Sequence, residues 1–309
     1  MENDIIAIVM AAGKGTRMKS KNSKLVQKIY GKEIVKRAVE NAEKAGVKDI
    51  VAVVGYKKEE VMKVLGDNIK YAFQDEMLGT GHAVMQAKEY LKGKKGKVLV
   101  LNGDVPLIRP ETLNKLIEKS IENKEYATLL TAIYDDPTGY GRIVRDEGGN
   151  IEGIVEEKDT TEEQKKITEI NAGIYCFDIE ALLEALEKIT PNNKQGEYYI
   201  TDVIQIMNNR GLKTGAVIVE DNTEILGIND RIQLGILTKV LQMRINTELM
   251  KHGVTIEDTN TTYIYDDVEI GMDTVIHPNT TIKSGVIIGE DCEIGPNSYI
   301  REGCKLANK

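Results

Sequence analysis

A chain of 309 residues has room for one large domain and a smaller one. Its 41 Lys and Arg against 49 Asp and Glu leave a formal charge of −8, which argues against nonspecific nucleic-acid binding. No apolar run reaches the roughly 18 residues of a membrane span, and the N-terminus lacks the basic-then-apolar shape of a signal peptide. Cys176, Cys292 and Cys304 show no metal-ligand spacing, and such a sparse, odd set suits a reduced, cytoplasmic protein. With no Trp and two Phe, the core is expected to be aliphatic with some Tyr.

The first element is an apolar run, Ile5 to Met10, short enough to be a buried parallel strand. It breaks into Ala11, Ala12, Gly13, Lys14, Gly15, Thr16 and Arg17. Small residues let the backbone turn sharply and bring its N–H groups close to an anion, and Arg17, Lys19, Lys21 and Lys24 add positive charge. Spacing excludes a Walker A loop, since no Gly-Lys-Ser/Thr follows Gly13 at the required distance. It also excludes the dinucleotide fingerprint, whose third small residue would fall at Met18. A tight strand–helix turn with solvated lysines is the plainer alternative.

Beyond the loop, Glu33 to Ala45 reads as an amphipathic helix closed by Gly46, Ile50 to Val54 as a strand, Glu59 to Leu65 as a helix and Lys70 to Phe73 as a strand. This alternation predicts a parallel sheet covered by helices. Leu78-Gly79-Thr80-Gly81-His82 then precedes the helical pattern Ala83 to Leu91. A glycine-rich helix start can set backbone N–H groups against a base or phosphate; a turn capped by Thr80 is the alternative. His82 is read as a polar residue of the first helical turn.

Val98 to Leu101 is another buried strand, ending at Asn102-Gly103-Asp104-Val105-Pro106. An Asp at the carboxyl end of a parallel strand faces the crevice where ligands bind in such sheets, and hard oxygen there suits Mg²⁺. A turn Asp bonded to its own backbone is the competing reading. Thr112 to Ile121 is expected to be helical and Ala127 to Ile133 extended. From Thr138-Gly139-Tyr140-Gly141-Arg142 to Val155, strand and turn alternate as in an antiparallel excursion. Ala181 to Leu186 and Val203 to Met207 read as helices, Val217 to Val219 as a late strand, and Gly227-Ile228-Asn229-Asp230 follows.

From Arg231 to Lys251 a stripe of Leu234, Leu237, Leu241, Ile245 and Leu249 predicts a connecting helix. Beyond it the period changes. Ile264, Ile270, Ile276, Ile282, Ile288, Ile294, Ile300 and Leu306 recur at every sixth residue. A second series holds shorter side chains: Val268, Thr274, Thr280, Val286, Cys292, Ser298 and Cys304. Strict period six predicts a parallel β-helix with the aliphatic ladder inward and Cys292 and Cys304 stacked in its core.

The stretch AAGKGTRM with its following Lys24 resembles the signature of the sugar-1-phosphate nucleotidyltransferases. It is particularly similar to that of the bifunctional N-acetylglucosamine-1-phosphate uridyltransferase/glucosamine-1-phosphate acetyltransferase family. QDEMLGTGHA, NGDVPLI, DDPTGYGRIV, GIVEEKD, EINAGIY, QGEYYITD and GIND extend the resemblance in order along the chain. It implies an α/β fold: a Rossmann-like nucleotidyltransferase domain with a mostly parallel sheet over residues 1–228, a linking helix over 229–251 and a short left-handed parallel β-helix over 252–309.

The implied chemistry is Mg²⁺-dependent uridylyl transfer from UTP to N-acetylglucosamine 1-phosphate, yielding UDP-N-acetylglucosamine and pyrophosphate for cell-wall precursor synthesis. By this resemblance Arg17 and Lys24 are catalytic, and Asp104 and Asn229 hold the metal. Gln74, Gly79 and Thr80 read the base, and Gly141, Glu156 and Asn171 contact the sugar. Met10, Ala11, Ala12, Gly13, Asn102 and Gly103 complete the substrate-binding set. Ser23 departs from the usual Pro before the Lys, Gln27 from a common His, and Ala172 from a common Thr, while Asn102 lies at a variable position.

The chain reaches only two to three coils by Lys309, so the acetyltransferase residues of the full-length family are expected to be absent; His252 and His277 have no motif context to replace them. Self-association through the β-helix, as a homotrimer, is the implied assembly, with neither nucleic acid nor membrane as partner. The alternatives are transfer to another sugar 1-phosphate such as glucose 1-phosphate, a thymidylyl donor, a coenzyme-A-dependent acyltransferase on the β-helix, or a non-catalytic regulatory relative.

Overall fold

The computed structural model describes residues 5–309; residues 1–4, where the first expected domain begins, lie outside the described residues. Strand β1 (Ile5–Ala11) is buried on both faces: Ile6 is 2% exposed and Ala7, Ile8 and Val9 not at all, as a continuous apolar run requires. A small hairpin, β2 (Lys28–Ile29) and β3 (Lys32–Glu33), follows. Strand and helix then alternate: α1 (Ile34–Lys44), β4 (Asp49–Val54), α2 (Lys58–Leu65), β5 (Lys70–Phe73), α3 (Thr80–Gln86), α4 (Lys88–Leu91), β6 (Lys97–Asn102), α5 (Pro110–Glu122) and β7 (Ala127–Ile133). Next come β8 (Arg142–Arg145), β9 (Ile151–Val155), β10 (Glu169–Asp178), α6 (Ile179–Leu186), α7 (Asp202–Asn209) and β11 (Thr214–Ile218).

The main sheet runs in the order β11-β7-β10-β6-β1-β4-β5. All pairs are parallel except those made by β10, which lies antiparallel to both β6 and β7. The sheet is therefore mostly parallel, as expected. The ten-residue β10 is an element that sequence periodicity does not reveal, because its pattern breaks at a bulge between Asn171 and Tyr175. The hairpin of β8 and β9 joins the sheet by pairing Arg142 with Ile170 of β10.

Helix α8 (Arg231–Lys251) opens with Asp230, whose Oδ1 accepts from Gln233 N at 2.8 Å. The expected apolar stripe is only partly buried: Leu237 and Leu241 are, while Leu234, Ile245 and Leu249 are half-buried. Gln242 and Asn246 take the central buried places instead. Their amides donate to the carbonyls of Thr259 and Thr262 at 2.7–3.2 Å, satisfying backbone groups that would otherwise be orphaned.

Nine two-residue strands complete the chain: β12 (Thr255–Ile256), β13 (Tyr263–Ile264), β14 (Glu269–Ile270), β15 (Val275–Ile276), β16 (Thr281–Ile282), β17 (Ile287–Ile288), β18 (Glu293–Ile294), β19 (Tyr299–Ile300) and β20 (Lys305–Leu306). They stack as three parallel sheets, β12-β15-β18, β13-β16-β19 and β14-β17-β20, which makes three coils of a parallel β-helix. Ile264, Ile276 and Ile282 are fully buried, and Thr274, Thr280 and Val286 stack beside them at 0% exposure. Cys292 is buried too, whereas Cys304 is half-buried and Leu306 is 37% exposed, so the ladder is not inward to its last rung. Every sixth residue from Asp273 to Gly303 turns a corner with positive φ: Asp273 (60°), Asn279 (58°), Gly285 (69°), Asp291 (56°), Asn297 (55°) and Gly303 (71°).

The chain divides into two units: residues up to Gln27 with Ile34–Asn229, and Lys28–Glu33 with Asp230–Lys309. This differs from the expected division in two respects. Helix α8 belongs with the coils, and so does the β2–β3 hairpin, where Tyr30 meets the Tyr265 ring edge-on at 5.3 Å.

Candidate active site

The site lies at the carboxyl ends of β1 and β6, which are hydrogen-bonded neighbours. Gly103 follows β6 and donates its N–H to the Met10 carbonyl at 2.9 Å; a Cβ there would stand 3.0 Å from that oxygen. The chain thus crosses over the end of β1 and presents Asp104. Ile228 N donates to the Asp104 carbonyl at 3.0 Å, which brings the remote Asn229 beside Asp104.

Lys24 joins them. Its buried side chain ends with Nζ donating to Asp104 Oδ2 at 2.5 Å and to Asn229 Oδ1 at 3.0 Å. The stem passes over Gly15, where a Cβ would lie 2.7 Å from Lys24 Cγ and Cδ and where φ is +57°. Both the space and the dihedral therefore demand glycine in the loop. Lys24 enters on a short turn, Lys24–Val26, capped by Ser23, whose Oγ accepts from Leu25 N at 3.3 Å. Ser23 holds φ at −54°, a value proline would impose, and its N–H donates to Glu60 Oε2 at 2.7 Å. A proline could not make that bond. The same hydrogen bond, followed by Lys57, holds the Glu60 carboxyl below the usual carboxylate range.

Met10, Ala12, Gly13, Lys24, Gln74, Gly79, Thr80, Asn102 and Asp104 line a single cavity of about 280 Å³, together with Leu25, Met77, Ala83 and Glu197. Gln74 is 3% exposed, and its Nε2 donates to the Gly79 carbonyl at 3.1 Å. Gly79 precedes α3 with φ +109°, and a Cβ on it would stand 2.5 Å from the Tyr198 carbonyl. Thr80 is the first residue of α3 and not its cap; its hydroxyl accepts from Ile200 N at 3.1 Å. The segments around Gly79 and Tyr198 are laced together further, by Tyr198 N to Leu78 O at 2.8 Å and Gly81 N to Tyr198 O at 2.7 Å. That pairing sets Glu197 in the cavity wall. Met77 and Glu197 fall within the segments QDEMLGTGHA and QGEYYITD but were not singled out from them, since only the tertiary lacing sets them in the wall.

A second cluster gathers the residues expected at the sugar. Asn171 N donates to the Gly141 carbonyl at 2.9 Å, and a Cβ on Gly141 would lie 3.5 Å from Glu156 Oε2. Asn171 sits at the bulge of β10, with its Oδ1 accepting from Gly173 N at 3.1 Å and its Nδ2 donating to the Tyr175 hydroxyl at 2.6 Å. Burial, then the charges of Asp202, Asp159 and Glu197, push the Glu156 carboxyl upward against a Thr201 hydroxyl bond at 3.1 Å. Adjoining Gly141 and Glu156, the fully buried Arg142 pairs with Glu157 at 2.8 Å.

Asn102 Nδ2 donates to the Gly173 carbonyl at 3.2 Å, and Thr201 follows Ile200, so the two clusters are bonded through shared backbone. Gly141, Glu156 and Asn171 do not themselves line the cavity. Nor do Ala11, which is buried, and Arg17, which is exposed in the turn Thr16–Met18. Asn229 reaches the site through Lys24, and Gly103 through its backbone.

The sequence model of the family described as nucleotidyl transferase matches residues 6–259, and that of the bacterial transferase hexapeptide, six repeats, matches residues 267–302. The protein named bifunctional protein GlmU from Acetivibrio thermocellus is 51% identical over 279 residues, covering 90% of this chain and 60% of that protein. Its namesake from Caldanaerobacter subterraneus subsp. tengcongensis is 53% identical over 280 residues, covering 91% of this chain and 61% of its own length. The chain thus spans about three fifths of these relatives. Among solved structures, a Bacillus anthracis protein assigned as a glucose-1-phosphate thymidylyltransferase superposes with TM-score 0.62 at 20% identity. That match covers 76% of this chain and 94% of the other, and it speaks for the fold alone.

Proposed function

The chain belongs to the nucleotidyl transferase family, and from that premise we propose that it transfers the uridylyl group of UTP to N-acetylglucosamine 1-phosphate. The observation that carries the reading is the Lys24 ammonium, held between two oxygens in the wall of a cavity whose other side presents a buried amide. In this reaction a sugar-phosphate oxygen attacks the α-phosphorus in line, the bond to the terminal diphosphate breaks, and pyrophosphate leaves with the electron pair. Such chemistry needs positioning and charge neutralisation and no covalent nucleophile.

Lys24 bridges the phosphates of substrate and product. The loop amides from Gly13 to Gly15 and the exposed Arg17 hold the leaving diphosphate. Gln74, Gly79 and Thr80 face the base, and Gly141, Glu156 and Asn171 take the sugar. The donor set suits a magnesium ion, because the Asp104 carboxylate and the Asn229 amide oxygen converge on one cationic point, and Mg²⁺ typically takes one or two carboxylates and leaves its other positions to phosphate and water. When bound, the ion offsets charge on the phosphates.

A matrix of nucleoside triphosphates against sugar 1-phosphates, read as pyrophosphate release, tests the proposal. UTP with N-acetylglucosamine 1-phosphate is expected to give the highest kcat/KM. A higher value for glucose 1-phosphate or for a thymidine triphosphate overturns the assignment of substrate.

A further inference from the structure

His82 lies one helical turn from Gln86 and beside Gln74, and its ring spans the two amides: Gln74 Nε2 stands 3.2 Å from Nδ1 and Gln86 Nε2 stands 3.0 Å from Nε2. A neutral imidazole has one donor and one acceptor nitrogen, so it cannot accept from both amides. One amide must turn. Each amide nitrogen also donates to a backbone carbonyl, Gln74 to Gly79 and Gln86 to His82, both at 3.1 Å.

Burial decides which one yields. Gln74 is 3% exposed, so reversing it would press its oxygen on the Gly79 carbonyl with no water to compensate. Gln86 is half-buried on the helix surface and can rotate at little cost. His82 then accepts at Nδ1 and donates from Nε2. Both Gln74 N–H groups are consumed, by Gly79 and by His82. Among the described residues no donor meets Gln74 Oε1, and Gln74 lines the cavity.

We propose that His82 is a positioning residue that locks the Gln74 amide with its oxygen toward the ligand, so that the site selects a base carrying a ring N–H. This rests on the uridylyl reading above. Uracil meets that demand through N3–H. Cytosine presents a bare acceptor at the same ring position, opposite another acceptor, and is rejected. A site built around one hydrogen-bonding pattern discriminates strongly because the wrong ligand leaves a buried group unpaired.

Two measurements on the full chain test this. First, the chain has three histidines, so the tautomer of His82 is assignable in isotope-labelled protein by NMR. Protonation at Nε2 with Nδ1 bare is expected, and the reverse tautomer overturns the proposal whether or not the protein turns over UTP. Second, His82→Phe keeps the ring shape without an acceptor, while His82→Asn restores an acceptor oxygen near the place of Nδ1. The Phe variant is expected to lower the UTP-over-CTP ratio of kcat/KM by about tenfold or more, mainly through the KM for UTP, and the Asn variant to recover most of it.

An unchanged ratio in a folded Phe variant overturns the role. So does an equal fall in kcat for both nucleotides with no recovery by Asn, which marks mere structural damage. Failure of the unsubstituted protein to prefer UTP is a different result: it removes the uridylyl reading and leaves the tautomer to decide what His82 does.

Discussion

Lys24 occupies the point between Asp104 and Asn229 that a divalent cation would share. On the proposed metal site, ammonium and metal would compete for the same two oxygens. Lys24→Ala is expected to cut kcat by about a hundredfold or more, as loss of one preorganised charge at a reacting phosphate commonly does. It is also expected to bind Mn²⁺ more tightly than the parent when no nucleotide is present, read by isothermal titration. Unchanged Mn²⁺ affinity would show that the two cations do not share ligands. An effect confined to KM would reduce Lys24 to uniform binding. Asp104 was legible in the sequence because a strand end followed by Asn-Gly-Asp can be read locally. Asn229 was legible only through its resemblance to a family motif, since what unites it with Asp104 is a backbone bond from Ile228. The departure at Ser23 reads as a loss of rigidity in sequence. The structure gives the turn a cap and an ion-paired partner instead, a substitution of means that no residue preference announces.

At the scale of elements, strict periods were the most legible signal and irregular ones the least. The six-residue ladder gave the coils, and the alternation of strand and helix gave the parallel part of the sheet. Strand β10 went unread because its bulge, between Asn171 and Tyr175, interrupts the alternation. The stripe on α8 misled for a related reason: Gln242 and Asn246 are polar in sequence yet buried, because the loop beneath them has carbonyls to satisfy.

One contact of the coils has a pH signature. His277 bridges Glu257 at 2.8 Å and Glu293 at 3.0 Å, across three successive coils, with Lys309 3.8 Å from Glu293. Those hydrogen bonds, Glu257 first, raise the imidazole pKa above its ordinary 6.5. A raised folded-state value stabilises the protonated form: the contribution is complete below the ordinary value and disappears as pH climbs through the raised one. Melting curves of His277→Gln and its parent should differ most just below pH 6.5 and converge on the alkaline side. A difference that grows with pH would contradict the bridge.

For the whole molecule, the coils raise the question of assembly. Tyr299 is 63% exposed and stacks above Thr281 and Tyr263 of its sheet, whereas Ile287, 39% exposed, stands between Glu269 and Lys305. We propose that the coils associate as a trimer, with the exposed Tyr299 at the contact. Sedimentation of the full chain is expected to give about three times the 34.3 kDa of one copy, and a version ending near Lys251 to give one copy. Monomers in both cases would end the proposal. The general architecture was readable in advance because it depends on periods and glycine-rich turns, which are local. The division between units was less so: a hairpin of six residues early in the chain goes with the coils, a matter of what it packs against.

The corners of the β-helix follow a longer repeat than its strands. Each edge keeps its own residue: Asp at 273 and 291, Asn at 279 and 297, Gly at 285 and 303. The sequence therefore repeats in structure every six residues but in identity every 18, the step from Asp273 to Asp291. Length in this part of the protein is quantised. A whole coil can be copied or excised and each remaining corner still stands on its own edge. A cut of six would rotate the assignment, setting Asn where Asp had been and Gly where Asn had been, and every outward side chain beyond the cut would face a new direction.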